Sequence, residues 1–349
     1  MRKMTIADKL AKKSFDSPKF QQSWAVHMHS FGPILEPAFE ENYPAKVHLT
    51  AALNLISSRQ LAQGFDKLKQ LQKFCETDAD KTAFLFFMGV CFEMMGDQEN
   101  MMDFYCAANE YGHSFYLPYI KVGKSYLSDH AYAPACENFR AAIDCFTAAG
   151  LDDQDRRILG SAYTNLATCL LMMHRYDEAQ AAMATSRDLC PDAPGRFAVE
   201  APLYALRGDR DSLDACLASL KAFSPEACES VTAIANGILA GTDPRFFALP
   251  VAQEQIASFW AWFKEYSAEM LKLLQEQKFE QAMTPVGEKL LHTFPFLEEV
   301  PYIALGRNDR GYVLELHDCY AIGIADAYEK LLRECPEDIG QVWQFSVVH

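Results

Sequence analysis

The sequence has 349 residues, 50% of them hydrophobic and 23% charged, with 47 acidic against 32 basic side chains for a net charge of −15. That length calls for more than one core, and the composition excludes a disordered acidic tail, a collagen-like repeat or a low-complexity segment. The charge repels a phosphate backbone over most of the surface, so nucleic acid is not an expected partner.

The chain opens with MRKMTIADKLAKKSF, which is basic but lacks the apolar core of a signal peptide. Lys3, Lys9, Lys12 and Lys13 read as the solvated side of a first helix. Residues 1–46 form a predicted helical cap, with Trp24, His27 and His29 beside an FGPILEP turn. On a helix, His27 and His29 point about 200° apart, so they cannot share a metal ion. The longest apolar run, Ala83 to Phe92, is about half of a membrane-spanning helix. Eleven cysteines, an odd number without a C-x-x-C pair, read as buried thiols in a reducing compartment. A cytoplasmic protein without membrane insertion is the expectation.

From Leu85 a pattern recurs. Leu85, Met88, Gly89, Phe92, Gly96, Asp97, Tyr105 and Ala108 share a register with Tyr119, Val122, Gly123, Tyr126, Ala135, Phe139 and Ala142, 34 residues on. A third copy, after a step of 44, reads Tyr163, Leu166, Ala167, Leu170, Tyr176, Ala179, Met183, Ser186 and Pro191. The fourth, another 34 on, reads Phe197, Ala201, Tyr204, Gly208, Asp209, Leu213, Leu217, Leu220 and Pro225. The extra residues of the long step fall near Phe146 to Arg156 and predict a longer loop or helix extension. A weaker unit precedes these, over Leu49 to Lys81. Large residues at the fourth, seventh and eleventh positions fall on one side of a first helix. The small residue at the eighth (Gly89, Gly123, Ala167, Ala201) lets a second helix approach closely. Pro191 and Pro225 read as helix stops.

These positions resemble the tetratricopeptide repeat (TPR) family, whose pattern is W-x2-L-G-x2-Y…A-x3-F…P. The resemblance covers about 49–225 and implies helix pairs that are stable only when stacked. It also implies that the second, fifth, ninth, twelfth and thirteenth positions of each first helix line a concave groove. Here those are Ala83, Phe86, Val90, Glu93 and Met94; Leu117, Ile120, Lys124, Leu127 and Ser128; and Ser161, Thr164, Thr168, Leu171 and Met172. Some TPR co-chaperones clamp a terminal carboxylate there with several cations. Lys124 is the one cation in this set, so an apolar helix or extended segment is the expected ligand, unless the chain's own first or last helices fill the groove.

After Pro225 come one further helix and a Gly/Pro-punctuated connector. A long amphipathic helix from Val251, a second helix, a hairpin (VPYIALG, a GRNDRG turn, GYVLELHD), another helix and a last strand QVWQFSVVH follow. These residues carry eight basic and sixteen acidic groups, a net −8. The tail also resembles, more loosely, a module that ends some bacterial proteins of unassigned role, through Phe259, Trp260, Trp262, Phe263, Phe294, Pro295, Trp343 and Phe345. The aromatic run within it reads as core and interdomain packing, or as an exposed partner patch.

Complete catalytic sets are absent. Val122-Gly123-Lys124-Ser125 imitates a P-loop, but Pro118 stands where a glycine is needed, so Gly123 reads as a helix-packing glycine. His317 and Cys319 share one side of a predicted strand end, with Asp318 opposite, and read as solvent-facing. Glu298 and Glu299 read as solvated.

The predicted architecture is therefore mainly α. A TPR-like α-solenoid of about five helix pairs is followed by a small C-terminal α+β domain. The expected divisions are a cap (1–46), repeats (47–227), a helix and linker (228–250) and the α+β domain (251–349). The expected function is a non-catalytic adaptor that binds another protein or a peptide segment through Phe86, Val90, Glu93, Met94, Ile120, Lys124, Leu127, Thr164, Thr168, Leu171 and Met172. No catalytic residue, metal or cofactor is assigned. Two alternatives remain: a C-terminal enzymatic or small-ligand effector delivered by the repeats, and an antitoxin-like or secretion-chaperone protein that masks a basic partner.

Overall fold

The computed structural model describes residues 43–58, 60–111, 115–146, 151–297, 300–308 and 311–348. Most of the predicted cap, with Trp24, His27 and His29, lies outside these residues, as does the Glu298/Glu299 pair. The described residues form fifteen α-helices and a three-stranded sheet near the C-terminus, the TPR-like hairpins and small α+β portion that the sequence predicts. The chain divides into two compact units, Met1–Cys169 with Thr185–Pro191, and Leu170–Ala184 with Asp192–His349.

In the first unit α1 (Tyr43–Ser57) pairs with α2 (Leu61–Leu71), α3 (Asp78–Met95) with α4 (Gln98–Tyr111), and α5 (Tyr116–Ser128) with α6 (Tyr132–Asp144). A capping box starts α3. The Thr77 hydroxyl accepts the Asp80 N–H at 3.1 Å, and the Asp80 carboxylate accepts the Thr77 N–H at 3.0 Å. The small residue of the repeat has the role its position predicts. A Cβ on Gly89 would lie 2.6 Å from the Tyr105 ring, and one on Gly123 would lie 3.0 Å from the Phe139 ring. The P-loop imitation is thus the middle of α5, with Gly123 receiving an aromatic ring.

Two more helices, α7 (Asp153–Met172) and α8 (Tyr176–Leu189), contribute to both units. The second unit continues with α9 (Phe197–Arg207), α10 (Arg210–Phe223) and α11 (Pro225–Leu239). Pro225 opens α11 rather than closing α10. Proline fits the first helical position because its missing N–H has no partner to lose there, and Ser224 caps the helix through the Ala227 N–H at 3.3 Å.

One turn recurs in both units. Gly96, His130, His174, Gly208, Gly241 and Gln277 all take a left-handed conformation, with φ between 58° and 71°. In each case that residue's N–H meets the carbonyl three back, and the next N–H meets the carbonyl five back, at 2.8–3.2 Å. This is a helix C-terminus closing its own loose carbonyls, and at Gly96, His130, His174, Gly208 and Gln277 it gives the hairpin the same short connection. Gln277 joins α12 (Gln253–Gln275) to α13 (Phe279–Thr293) by this same turn.

The sheet has the order β1–β2–β3, from Ile303–Asn308, Gly311–His317 and Trp343–Val348. The hairpin β1–β2 is antiparallel and β3 runs parallel to β2, with α14 (Ile322–Arg333) and α15 (Glu337–Gly340) in the crossover. One sheet side meets the helices. Leu314, Leu316 and Trp343, joined by Ile303, Leu305, Tyr312, Phe345 and Val347, pack with Phe259, Trp260, Phe263, Leu290 and Tyr328. The aromatic run is therefore core: Phe259, Trp260 and Phe263 are buried and Trp262 stacks on Tyr266 at 5.0 Å. The Trp260 indole N–H donates to the Leu331 carbonyl at 2.9 Å, fixing α12 against α14.

The start of α14 is held by the connector after α11. Gly323 N–H donates to the Pro244 carbonyl at 2.8 Å, and a Cβ at Gly323 would stand 2.5 Å from the Phe247 carbonyl oxygen and 2.9 Å from that of Pro244. Both obstacles are backbone, so no rotamer change relieves them. Gly323→Ala is expected to cost about 3 kcal/mol, read as a lower midpoint in urea with unchanged slope.

Candidate functional site

The predicted groove residues divide by burial. Phe86, Val90 and Ile120 are buried in the core of the first unit, and Thr164 is buried there as well. Leu171 is buried in the second unit, where Met172 is half-buried. Phe86 shows why: its ring is ringed by Phe87, Tyr105 and Phe115 at centroid distances of 5.5, 5.4 and 5.3 Å. Thr164 closes a hydroxyl pair, 2.7 Å from Ser186, with both hydroxyls directed at the Gly160 carbonyl. Solvent meets the remaining members of the first unit: Glu93 and Lys124 are exposed, and Met94, Leu127 and Thr168 are half-buried.

These exposed groups form a charged strip across neighbouring first helices. Glu93 on α3 receives Lys121 of α5 on both carboxylate oxygens at 2.8 Å, and the Tyr105 hydroxyl of α4 donates to it at 2.6 Å. Burial, then the Glu93 charge and its hydrogen bond, hold the Tyr105 phenol well above its ordinary pKa of 10.0, so it stays a donor. Lys124 lies one turn beyond Lys121. Its end reaches solvent, yet surrounding protein desolvates it and lowers its pKa from 10.5; the Lys121 charge adds to this and Glu93 opposes it. Among the described residues Lys124 makes no side-chain hydrogen bond or ion pair. The Lys121–Glu93 bridge was not visible in the sequence, because the two positions are 28 apart and one lies outside the groove set.

The second candidate was the end of β2. Asp318 is buried rather than solvent-facing, and its carboxylate accepts the Tyr320 N–H at 2.8 Å. Cys319 and Tyr320 take positive φ values of 48° and 63°, conformations unusual for side-chain-bearing residues. Asp318 continues the inward alternation of Leu314 and Leu316, and the bend follows it. The His317 ring meets Tyr302 edge-on at 4.7 Å. The bend is met by His174, whose Nε2 donates to the Tyr320 carbonyl at 2.6 Å while its Nδ1 faces the Tyr176 hydroxyl at 2.9 Å. An acceptor carbonyl requires the proton on Nε2, so Nδ1 receives the tyrosine hydrogen in the neutral ring. A signal for this junction existed in the sequence: His-x-Tyr occurs at 130–132 and again at 174–176, with the same 2.9 Å contact. Two open cavities of about 370 Å³ flank His174, one lined by Arg175, Asp177, Glu178 and Arg207, the other by Asp318, Tyr320, Asp326 and Glu329. Neither is lined by His317 or Cys319. Among the described residues, no three His, Cys, Asp or Glu side chains group as a metal ion requires.

No disulfide joins the cysteines. Burial pushes the Cys91 and Cys169 thiols up to about 12, and Cys145 up to about 11. The thiolate is the nucleophile, so these groups are expected to react with a disulfide reagent at pH 8 only after denaturant is added, with Cys106, the exposed one, first in the native protein. Early labelling of Cys91 would contradict the packing. The sign for stability follows: above pH 9 the unfolded chain loses thiol protons that Cys91 retains when folded, so stability falls as pH rises through 9 toward 12.

No protein-family model and no curated protein matches the sequence. Among solved structures the chain is similar to aspartyl phosphate phosphatase F from Bacillus subtilis, at 14% identity and a TM-score of 0.39, covering 82% of this chain and 78% of that one. Among the described residues no helix is long and apolar enough to cross a membrane.

Proposed function

We propose that this chain is a non-catalytic adaptor that holds a segment of a partner protein along the first helices of its repeats. In the first unit the contact residues are Glu93, Met94, Lys124, Leu127 and Thr168, with Phe86, Val90, Ile120 and Thr164 as the packed floor beneath them. The observation that supports this is Lys124: a cation that reaches solvent, is crowded by protein, stands beside a second cation and has no ion pair among the described residues. Such a group gains most from an incoming anionic side chain. The half-buried Met94 and Leu127 beside it supply apolar surface to a ligand of mixed character.

The test compares partners captured from the source cell by wild type, by Lys124→Glu with Leu127→Asp, and by Lys264→Glu as a control in the second unit. Loss of the same partners in the double variant alone, with unchanged thermal melting, is the expected result; identical partner sets in all three refute the proposal. With a captured partner in hand, calorimetry in buffers of different ionisation enthalpy gives a second readout. Lys124 has a lowered pKa when free, and a partner carboxylate raises it. Binding should therefore take up protons in the alkaline range below 10.5, and that uptake should vanish in Lys124→Ala.

A further inference from the structure

The sheet has a second side that does not meet the helix core. Its rows follow from the register. Tyr302, His317 and Val348 form one, Ala304, Glu315 and Ser346 the next, and Gly306, Val313 and Gln344 the third. The Asn308 and Gln344 amides clasp each other at 2.9 and 3.2 Å across the hairpin end, which shows that β1 and β3 present this side together. Small side chains stand at Ala304, Gly306 and Ser346 of these rows. The Glu315 carboxylate lies over β1, 3.9 Å from where a Gly306 Cβ would be, so neither Gly306 nor Ala304 shields it.

We infer that this outer sheet face docks a basic amphipathic helix of another protein, with an Arg or Lys paired to Glu315. Three observations carry the inference. First, Glu315 is the sole ionised residue of these rows, and among the described residues it has no ion pair or hydrogen bond. Arg307 of β1 points to the other side and lies over the Tyr312 ring at 5.5 Å. Four cations of the tail are held elsewhere: Lys264 by Asp338, Lys278 by Glu276, Lys330 by Asp326 and Arg333 by Glu329. Second, His317 Nε2, in the adjacent row, is buried without a hydrogen-bond partner among the described residues, while its neighbour Tyr302 is 65% exposed. Third, the charge fits: residues 251–349 carry a net −8, which draws a cationic partner and repels a second copy. Three strands span about 10 Å, the width of one helix, and a floor of Ala304, Gly306 and Ser346 permits its close approach.

The experiment uses the full chain and fluorescent synthetic peptides of about fourteen residues, four turns of helix. They are amphipathic and identical except for one position on the apolar side, which is Arg, Leu or Glu. The Arg peptide is expected to bind saturably, and the Glu peptide at least tenfold more weakly. Glu315→Gln, nearly isosteric and placed on the surface, should weaken the Arg peptide about tenfold, to the level of the Leu peptide, as expected for one charge-assisted hydrogen bond. Gly306→Val should block all three peptides, and Glu329→Gln, on α14, should change nothing. Lys124→Glu should also leave peptide binding unaltered, so this surface and the repeat strip fail or stand separately. Absence of saturable binding, equal binding of the Arg and Glu peptides, or an unchanged Glu315→Gln each overturns the inference. So does a wild-type dimer in sedimentation that Glu315→Gln dissolves, which would make the occupant a second copy.

Discussion

Tyr105→Ala is expected to lower stability by about 3–5 kcal/mol, enough to consume much of the margin of an ordinary domain. Tyr105 is fully buried, its ring fills the space left open by Gly89, and it contacts Phe86. Truncation leaves a cavity between α3 and α4 that the helices cannot close without moving. It also removes the hydroxyl that donates to Glu93 at 2.6 Å. Tyr105→Phe separates the two losses: it keeps the ring and forfeits only the hydrogen bond, about 1 kcal/mol, because Glu93 keeps Lys121 and water. Urea unfolding of the two variants measures both. If the alanine variant lost no more than the phenylalanine one, the ring would not be the packing element described.

A second large effect is expected in the sheet. Trp343→Ala should cost about 3–5 kcal/mol, because the indole is almost fully buried at the start of β3, facing Tyr312 at 5.5 Å and Phe263 at 5.7 Å. The substitution to Phe should behave differently. Among the described residues Trp343 Nε1 is buried without a hydrogen-bond partner, so exchanging indole for benzene removes an unsatisfied donor together with some volume. The two changes oppose each other, and Trp343→Phe is expected within about 1 kcal/mol of wild type. Trp260→Phe should be the worse of the two, since it forfeits a formed hydrogen bond and leaves the Leu331 carbonyl with the Glu334 N–H at 3.2 Å. Equal losses from both phenylalanine variants would show that the hydrogen-bond state of the indole does not matter.

The helices were legible because apolar spacing of 3.6 survives in every pair, and the hairpin strands because the period shortens to 2 between turn residues. The turn at Gln277 was not, since a glutamine stands where other units place Gly96 or Gly208, and only the backbone shows the shared conformation. The misread proline has a similar cause: Pro225 fits either the end of one helix or the start of the next, and Ser224 decides it by capping forward. Least legible was the exposure of the groove positions. A helical register says which residues share a side, but whether Phe86 meets solvent depends on Phe115, which comes from a different unit. Asp318 was hidden for another reason: it continues the inward row of Leu314 and Leu316 one residue past β2, where a carboxylate reads as solvent-facing.

The aromatic ring seated in a missing side chain has a consequence for how these repeats can vary. Gly89 with Tyr105, and Gly123 with Phe139, are single choices written at two positions. Enlarging the hole alone or shrinking the knob alone is penalised, whereas doing both returns the volume to its original total, so the two changes compensate instead of adding. The hairpins should therefore drift in sequence by paired exchange across α3–α4 and α5–α6. An engineer could transplant either hole-and-knob couple between pairs as a unit, with the Tyr105 couple carrying along the hydroxyl that Glu93 accepts.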